Sequence, residues 1–326
     1  VGGGFQPSAL VVARRLALAL ALSCVPVLAA ADAPPVVDWS KDIETVVVTA
    51  HRSGPLMWRV KKGEATVILL GIVEPVPEDF QWDSAPVHDA LKGARQMLLP
   101  PEASVGLVEG LWFLAWNSDS VYLPSETPME STLPPALRAR FAAAREKIHR
   151  DADRYASMRV PLAGLRYEGD FFKAHGLVYE EPVAALKHIA RALNVPVRTI
   201  AQYEAIPMLK QLPSMSASAN EKCLTASLDD TDALGMHAVP AAQAWAKGDL
   251  AGLEANYSER RFEGCIQAVP NLADLFKRAV NDYTAALNGA LEKPGTTVMA
   301  VSLGELLREN GMLDRLGAEG LSVEQY

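Results

Sequence analysis

The chain has 326 residues, 49% of them hydrophobic, a formal net charge of −8 and 3 cysteines. That length and apolar content suit one large domain or two small ones with a proper core, and they exclude a disordered chain. An acidic balance without a basic cluster argues against nucleic acid as a partner.

Residues 1–30 are set aside as a signal peptide. Arg14 and Arg15 precede the run Leu16–Leu22, and Pro26 with Ala29, Ala30 and Ala31 follow. A basic, then apolar, then small-residue order is that of a secretory signal. The run is too short and too alanine-rich for a stable transmembrane anchor. The expected protein is therefore secreted, to a periplasm. Cys24 falls within this segment, which leaves Cys223 and Cys265. Two cysteines in a secreted chain usually pair, so a structural disulfide is expected. A redox or metal pair is the alternative, but C-x-x-C spacing and a nearby histidine cluster are both missing.

Residues 31–54 read as a linker, Pro34 and Pro35 included, broken by a strand-like stretch from Asp42 to Ala50. The body, residues 55–326, opens on Met57–Val60, a Lys61–Glu64 turn and the run Thr66–Leu70, which predicts a hairpin. Asp83 and Ser84 introduce a helix to Ala94, and Gln96–Leu99 predicts a strand stopped by Pro100 and Pro101. Pro134 and Pro135 start a helix over Ala136–Arg150. A helix over Val183–Leu193, with an apolar stripe at Leu186, Ile189, Ala190 and Leu193, is expected to pack on a sheet. Asn194 sits at its C-cap, and Val195–Ile200 predicts a strand. From Ala205 to Leu291 the pattern is helical, with loops expected at Pro213–Asn220, Leu228–Gly235 and Glu263–Asn271. The end returns to strand (Thr297–Val301), helix (Glu305–Leu316) and a last strand from Leu321. Strand-helix units at both ends of a helical middle predict an α/β fold: a mixed central sheet flanked by helices and completed by the C-terminal strand-helix-strand.

Several catalytic patterns are excluded: the P-loop, G-x-G-x-x-G, G-x-S-x-G and H-E-x-x-H. The six histidines stand alone in sequence. Asp229, Asp230, Thr231 and Asp232 lack the glycine and distal glutamate of a calcium loop, so a loop or helix-cap role is expected.

Two apolar runs each finish on a glycine-containing turn and a glutamate: Thr66–Leu70 with Gly71 and Glu74, and Thr297–Val301 with Gly304 and Glu305. Such runs suit strands buried on both faces, and functional groups in open α/β sheets collect past the carboxyl ends of these strands. Glu74 and Glu305 are thus candidates for catalysis or metal binding, with bland alternatives beside them. Ser302 and Glu305 have S-x-x-E spacing, in which the serine caps a helix and the glutamate reaches back. Glu74 precedes Pro75, which holds it extended in a solvated loop.

The segments Leu56–Gly63, Thr66–Gly71, Ala94–Leu99, Thr297–Leu307 and Gly320–Glu324 together resemble the TraB/GumN family, and Ala244–Leu253 is similar to its W-x-x-G-D helical segment. The resemblance covers roughly residues 55–325. Relatives in that family include Tiki-type metalloproteases, where two G-x-x-H turns, a strand-end glutamate and a late-helix arginine build a metal site. Here Gly71 matches the first glycine, but Glu74 stands in place of the first histidine. Ser302 and Glu305 replace the second glycine and histidine, the strand-end glutamate falls on Pro100, and the arginine falls on Val280. Histidine supplies a neutral nitrogen to zinc-like ions near neutral pH, whereas proline and valine supply no side-chain ligand. The resemblance therefore implies a degenerate member, a pseudoenzyme without cofactor, with a binding or scaffolding role in the cell envelope. Its alternatives are a divergent metal-dependent hydrolase or protease using Glu74 and Glu305 with a divalent metal, and an accessory factor in polysaccharide export.

Glu44–Ala50 also resembles the TonB box of outer-membrane transporters. An extended, β-branched segment on a flexible leader suits strand addition to a partner's sheet edge. The alternative is an edge strand of this same fold.

Overall fold

A computed structural model describes residues 54–179, 181–257, 260–261, 264–265 and 272–326. The expected signal peptide, nearly all of the linker with its Asp42–Ala50 strand, and most of the Glu263–Asn271 loop lie outside the described residues.

In chain order the elements are β1 (Met57–Lys62), β2 (Ala65–Ile72), β3 (Val76–Pro77), α1 (Ala85–Leu91), β4 (Gln96–Leu99), β5 (Glu102–Ser104) and α2 (Leu107–Asn117). Next come α3 (Pro135–Lys147), α4 (Asp153–Ala156), α5 (Val160–Ala174), β6 (Leu177–Val178), α6 (Glu181–Ala192), β7 (Val197–Thr199) and β8 (Gln202–Glu204). The chain continues through α7 (Ile206–Leu209), α8 (Ala217–Ala246), α9 (Leu250–Asn256) and α10 (Leu272–Leu291). It closes with β9 (Gly295–Ser302), α11 (Leu303–Leu307), α12 (Met312–Ala318) and β10 (Val323–Gln325).

Six strands form one mixed sheet in the order β10-β1-β2-β9-β4-β7. β1 and β2 make the expected hairpin, while β2, β9, β4 and β7 run parallel. β10 adds antiparallel to β1, so strands from the two ends of the chain complete one sheet. The fold is α/β, as the sequence predicts.

Alternation along the strands decides what each face buries. Val67 and Leu69 of β2, with Met299 and Val301 of β9, meet Trp245 of α8 and Leu287 and Leu291 of α10 on one face. Ile68 and Leu70, with Val298 and Ala300, meet Val87 and Leu91 of α1 and Leu186 and Ile189 of α6 on the other. Both faces are dry, which is why these runs are continuous rather than alternating in hydrophobicity. Each fully buried leucine contributes about 1.5–3 kcal/mol. A third cluster, with Phe141, Tyr155, Tyr167, Leu224 and Leu228, forms the core of the helical part.

Four expectations are corrected. The loop at Leu228–Gly235 is the middle of α8, a helix of 30 residues that also runs through Pro240. Its poor helix formers are held by tertiary partners. Asp229 and Asp232 pair with Arg140, Asp229 with Arg261, and Asp230 accepts the Arg261 amide at 2.9 Å. The four residues Asp229–Asp232 are therefore neither loop nor cap. α8 also starts inside the expected Pro213–Asn220 loop, where Ser216 Oγ accepts the Ala219 N–H. The helix expected over Glu305–Leu316 is two helices, broken at Asn310 (φ 56°) and Gly311.

Cys223 and Cys265 are joined in a disulfide that closes a span of 42 residues. No helix among the described residues is long and apolar enough to cross a membrane.

Candidate functional site

β2 and β9 are neighbours in register, and they finish side by side, with Ile72 paired to Ser302. The candidate residues follow from that ending. Glu74 lies two residues past β2, half-buried, and its bond to Pro75 is cis. Ser302 closes β9 and caps α11, its Oγ accepting the Glu305 N–H at 3.3 Å. The capping half of the S-x-x-E reading is thus observed. The Glu305 carboxylate turns elsewhere: Oε1 accepts Arg315 Nη2 at 2.6 Å, and Oε2 lies 2.5 Å from Arg308 Nη2. Glu305 is 7% exposed, and burial pushes its carboxyl above the ordinary glutamate value against the pull of both arginines.

Gly71 is a glycine because two elements converge on its backbone. A Cβ there would sit 2.6 Å from Leu303 Cδ2 and 3.2 Å from Trp58 Cζ3. Its carbonyl accepts the indole N–H of Trp245 at 2.6 Å. Trp245 opens the W-x-x-G-D segment, whose other members act locally. Gly248 (φ 69°) ends α8, and Asp249 caps α9 by accepting the Gly252 N–H at 2.9 Å. A left-handed residue after a helix is best supplied by glycine.

Tyr283 of α10 connects the two strand ends. It is 7% exposed. Burial raises its phenol most, and the Glu305 and Glu74 carboxylates add to the rise, while a main-chain hydrogen bond at Ser302 opposes them. The neighbouring Asp282 accepts the Tyr203 hydroxyl at 2.6 Å, and the Arg278 guanidinium lies 5.5 Å from the Tyr203 ring centroid. Burial and then Asp282 raise the Tyr203 phenol as well. Both tyrosines are therefore neutral donors at physiological pH.

On its other side Glu74 borders a small cleft of about 20 Å³, shared with His237, Asn256, Tyr257 and Arg260. That volume admits one water. His237 Nδ1 lies 3.3 Å from Asn256 Oδ1, and Arg260 also pairs with Glu168. Pro100 follows the end of β4 and Val280 lies on α10, one turn before Tyr283. Neither adds a polar side chain. Among the described residues, no three His, Cys, Asp or Glu side chains group as a metal cluster would.

Sequence reasoning finds Glu74, Ser302 and Glu305 but misses Tyr283, His237, Arg308 and Arg315. The two arginines follow Glu305 closely, and their i+3 and i+10 spacing was the one available signal. His237 and Tyr283 come from distant helices with no local mark.

Strand order defines an α/β protein, and the polar groups past its parallel strand ends mark a candidate site at the carboxyl edge of the sheet. The TraB/PrgY/gumN family profile matches residues 56–325, and the chain belongs to that family. No curated protein and no solved structure matches the chain.

Proposed function

We propose that this chain is a secreted, periplasmic member of its family that binds or scaffolds an envelope partner and holds no catalytic metal. The observation that carries the reading is the pairing of Glu305 with both Arg308 and Arg315. Two guanidiniums occupy the carboxylate oxygens and repel any dication that approaches them. A carboxylate already given to two arginines is a poor metal ligand. Glu74 and His237 across its cleft, with Pro100 and Val280 at the two other family positions, fall short of the three or more protein ligands that a catalytic ion needs. The donor set therefore does not fit the metal site that the Tiki-type resemblance implies.

The polar edge of the sheet serves in this reading as a recognition surface. The Glu74 carboxylate and the His237 imidazole, both half-buried, suit hydrogen bonding to a peptide. Glu44–Ala50 suits strand addition to a partner's sheet edge. A peptide of residues 38–53 is expected to bind a TonB-type domain, and calorimetry with no heat of binding would end that part of the reading.

A second reading, a divergent hydrolase, draws on Glu74 and His237 lining one cleft with Arg260. There a carboxylate and an imidazole would serve as base and acid, with the guanidinium beside them. Turnover of a generic peptide or ester substrate, abolished by both Glu74→Gln and His237→Gln, would favour it. Accessory service in polysaccharide export is a third reading and rests on family association alone.

A further inference from the structure

α2 buries a single residue, Phe113, in its own molecule. At 100° per residue, Leu114, Leu107, Leu111, Ala115, Val108, Trp112 and Trp116 fall on one continuous arc of the helix. That arc faces outward: Leu107 is 80% exposed, Val108 63%, Leu111 62%, Trp112 62% and Trp116 74%. The two indoles stack with centroids 6.3 Å apart and planes 13° apart. Glu109 is the one charge between Leu107 and Asn117.

Such a helix does not stand by itself in water. It has 11 residues, no side-chain hydrogen bond at its Gly106 cap, and Gly110 inside it. Isolated helices of that length are marginal even in favourable sequences, and an interior glycine costs about 0.5–1 kcal/mol more. With one buried side chain, its own fold supplies little of the missing stabilisation.

We infer that the apolar arc of α2 is the self-association surface of this protein, packing against α2 of a second copy in a two-fold dimer. Area is the first argument. The exposed parts of Trp112 and Trp116 amount to on the order of 300 Å², and Leu107, Val108 and Leu111 bring the patch to roughly 600–700 Å². That exceeds what a typical monomer displays and approaches the ~800 Å² per partner of a standard interface. Charge is the second. Helices that lie on anionic membranes carry Lys and Arg on the polar side of the arc, and α2 carries none. A nearly uncharged arc meets itself without like charges at its centre, as an isologous contact requires. The formal net charge of −8 on each copy repels at longer range, so salt strengthens the contact by screening.

The test is sedimentation of the secreted chain over a dilution series, with hydrogen exchange read on the peptide 107–117 at each concentration. The expected result is a monomer-dimer equilibrium that tightens with added salt, with protection of 107–117 rising and falling with the dimer. Leu111→Glu with Trp112→Glu is expected to weaken association at least about 30-fold. Its circular dichroism checks that the body remains folded, and the wild-type dilution series stands independently of that variant. Three outcomes overturn the inference. One is a monomer at ~100 µM with 107–117 unprotected, where a standard interface should already associate. Another is protection of 107–117 in the monomer, which means the chain's own leader covers α2. The third is a monomer that floats with phosphatidylcholine or phosphatidylglycerol vesicles through α2, which makes the surface a membrane contact.

Discussion

Trp245 and Gly71 are joined by a 2.6 Å hydrogen bond across 174 residues of sequence. The bond ties the last turn of α8 to the strand whose end carries Glu74. It also explains two features that the sequence shows only as spaced letters: a tryptophan before a Gly-Asp pair and a glycine closing an apolar run. Phe80 and Trp82 pack on the same indole, at 6.5 Å and 5.3 Å between ring centroids.

Trp245→Phe keeps most of the packing and removes the indole N–H. The Gly71 carbonyl is then left without its donor in a buried place, which costs about 1–3 kcal/mol. Urea unfolding should show that loss as a lower midpoint at unchanged slope. A change below ~0.5 kcal/mol would mean that the bond is incidental.

Gly71→Ala tests the close approach directly. The added methyl meets Leu303 and Trp58 inside normal contact distance, so overpacking of about 1–3 kcal/mol is expected. Gly63, with open space around its Cβ but φ 59°, should show only the smaller cost of a strained backbone. Equal losses at the two positions by thermal melting would refute the packing explanation.

The Cys223–Cys265 disulfide closes a 42-residue span. On the chain-entropy account such a loop stabilises the fold by ~4 kcal/mol. Cys223→Ser and reduction by dithiothreitol should lower stability by similar amounts, and the reductant should have no further effect on the variant.

Asp170 sets the acid limb. It is buried, which pushes its carboxyl up, yet Arg154 and Tyr155 hydrogen-bond it and hold it below the ordinary value. A depressed folded value means stability present above about pH 3.8 and lost as pH falls through the folded value. Asp170→Asn should therefore lower stability at pH 7 and flatten the loss below pH 4. Glu305 has the opposite sign. Its carboxyl is raised on folding, so its contribution is full below about pH 4.5 and is lost as pH rises through the folded value. Glu305→Gln should remove that decline, and a steeper one in the variant would contradict the assignment.

The sheet was legible because its parallel strands are buried on both faces and must be continuously apolar. The hairpin, α6 and the C-terminal return were legible for similar reasons of period. α8 was not, because Asp229 to Asp232 favour breaks locally and Arg140, Arg260 and Arg261, far away in sequence, reverse that preference. The site was half legible. Glu74 and Glu305 stand at strand ends, where position alone marks them. His237 and Tyr283 reach the same edge from helix interiors, and helical periodicity says nothing of which strand end a residue will face. Glu305 was readable as a cap partner from S-x-x-E spacing, but its pairing with Arg315 depends on the break at Asn310, which folds α12 back toward it.

The central claim is that the strand-end site carries no catalytic metal. Mass-spectrometric metal analysis of protein purified without chelators tests it most directly. The account predicts zinc, cobalt and manganese far below one ion per chain, unchanged in Glu74→Gln and Glu305→Gln. About one ion per chain, lost on either substitution, would contradict it.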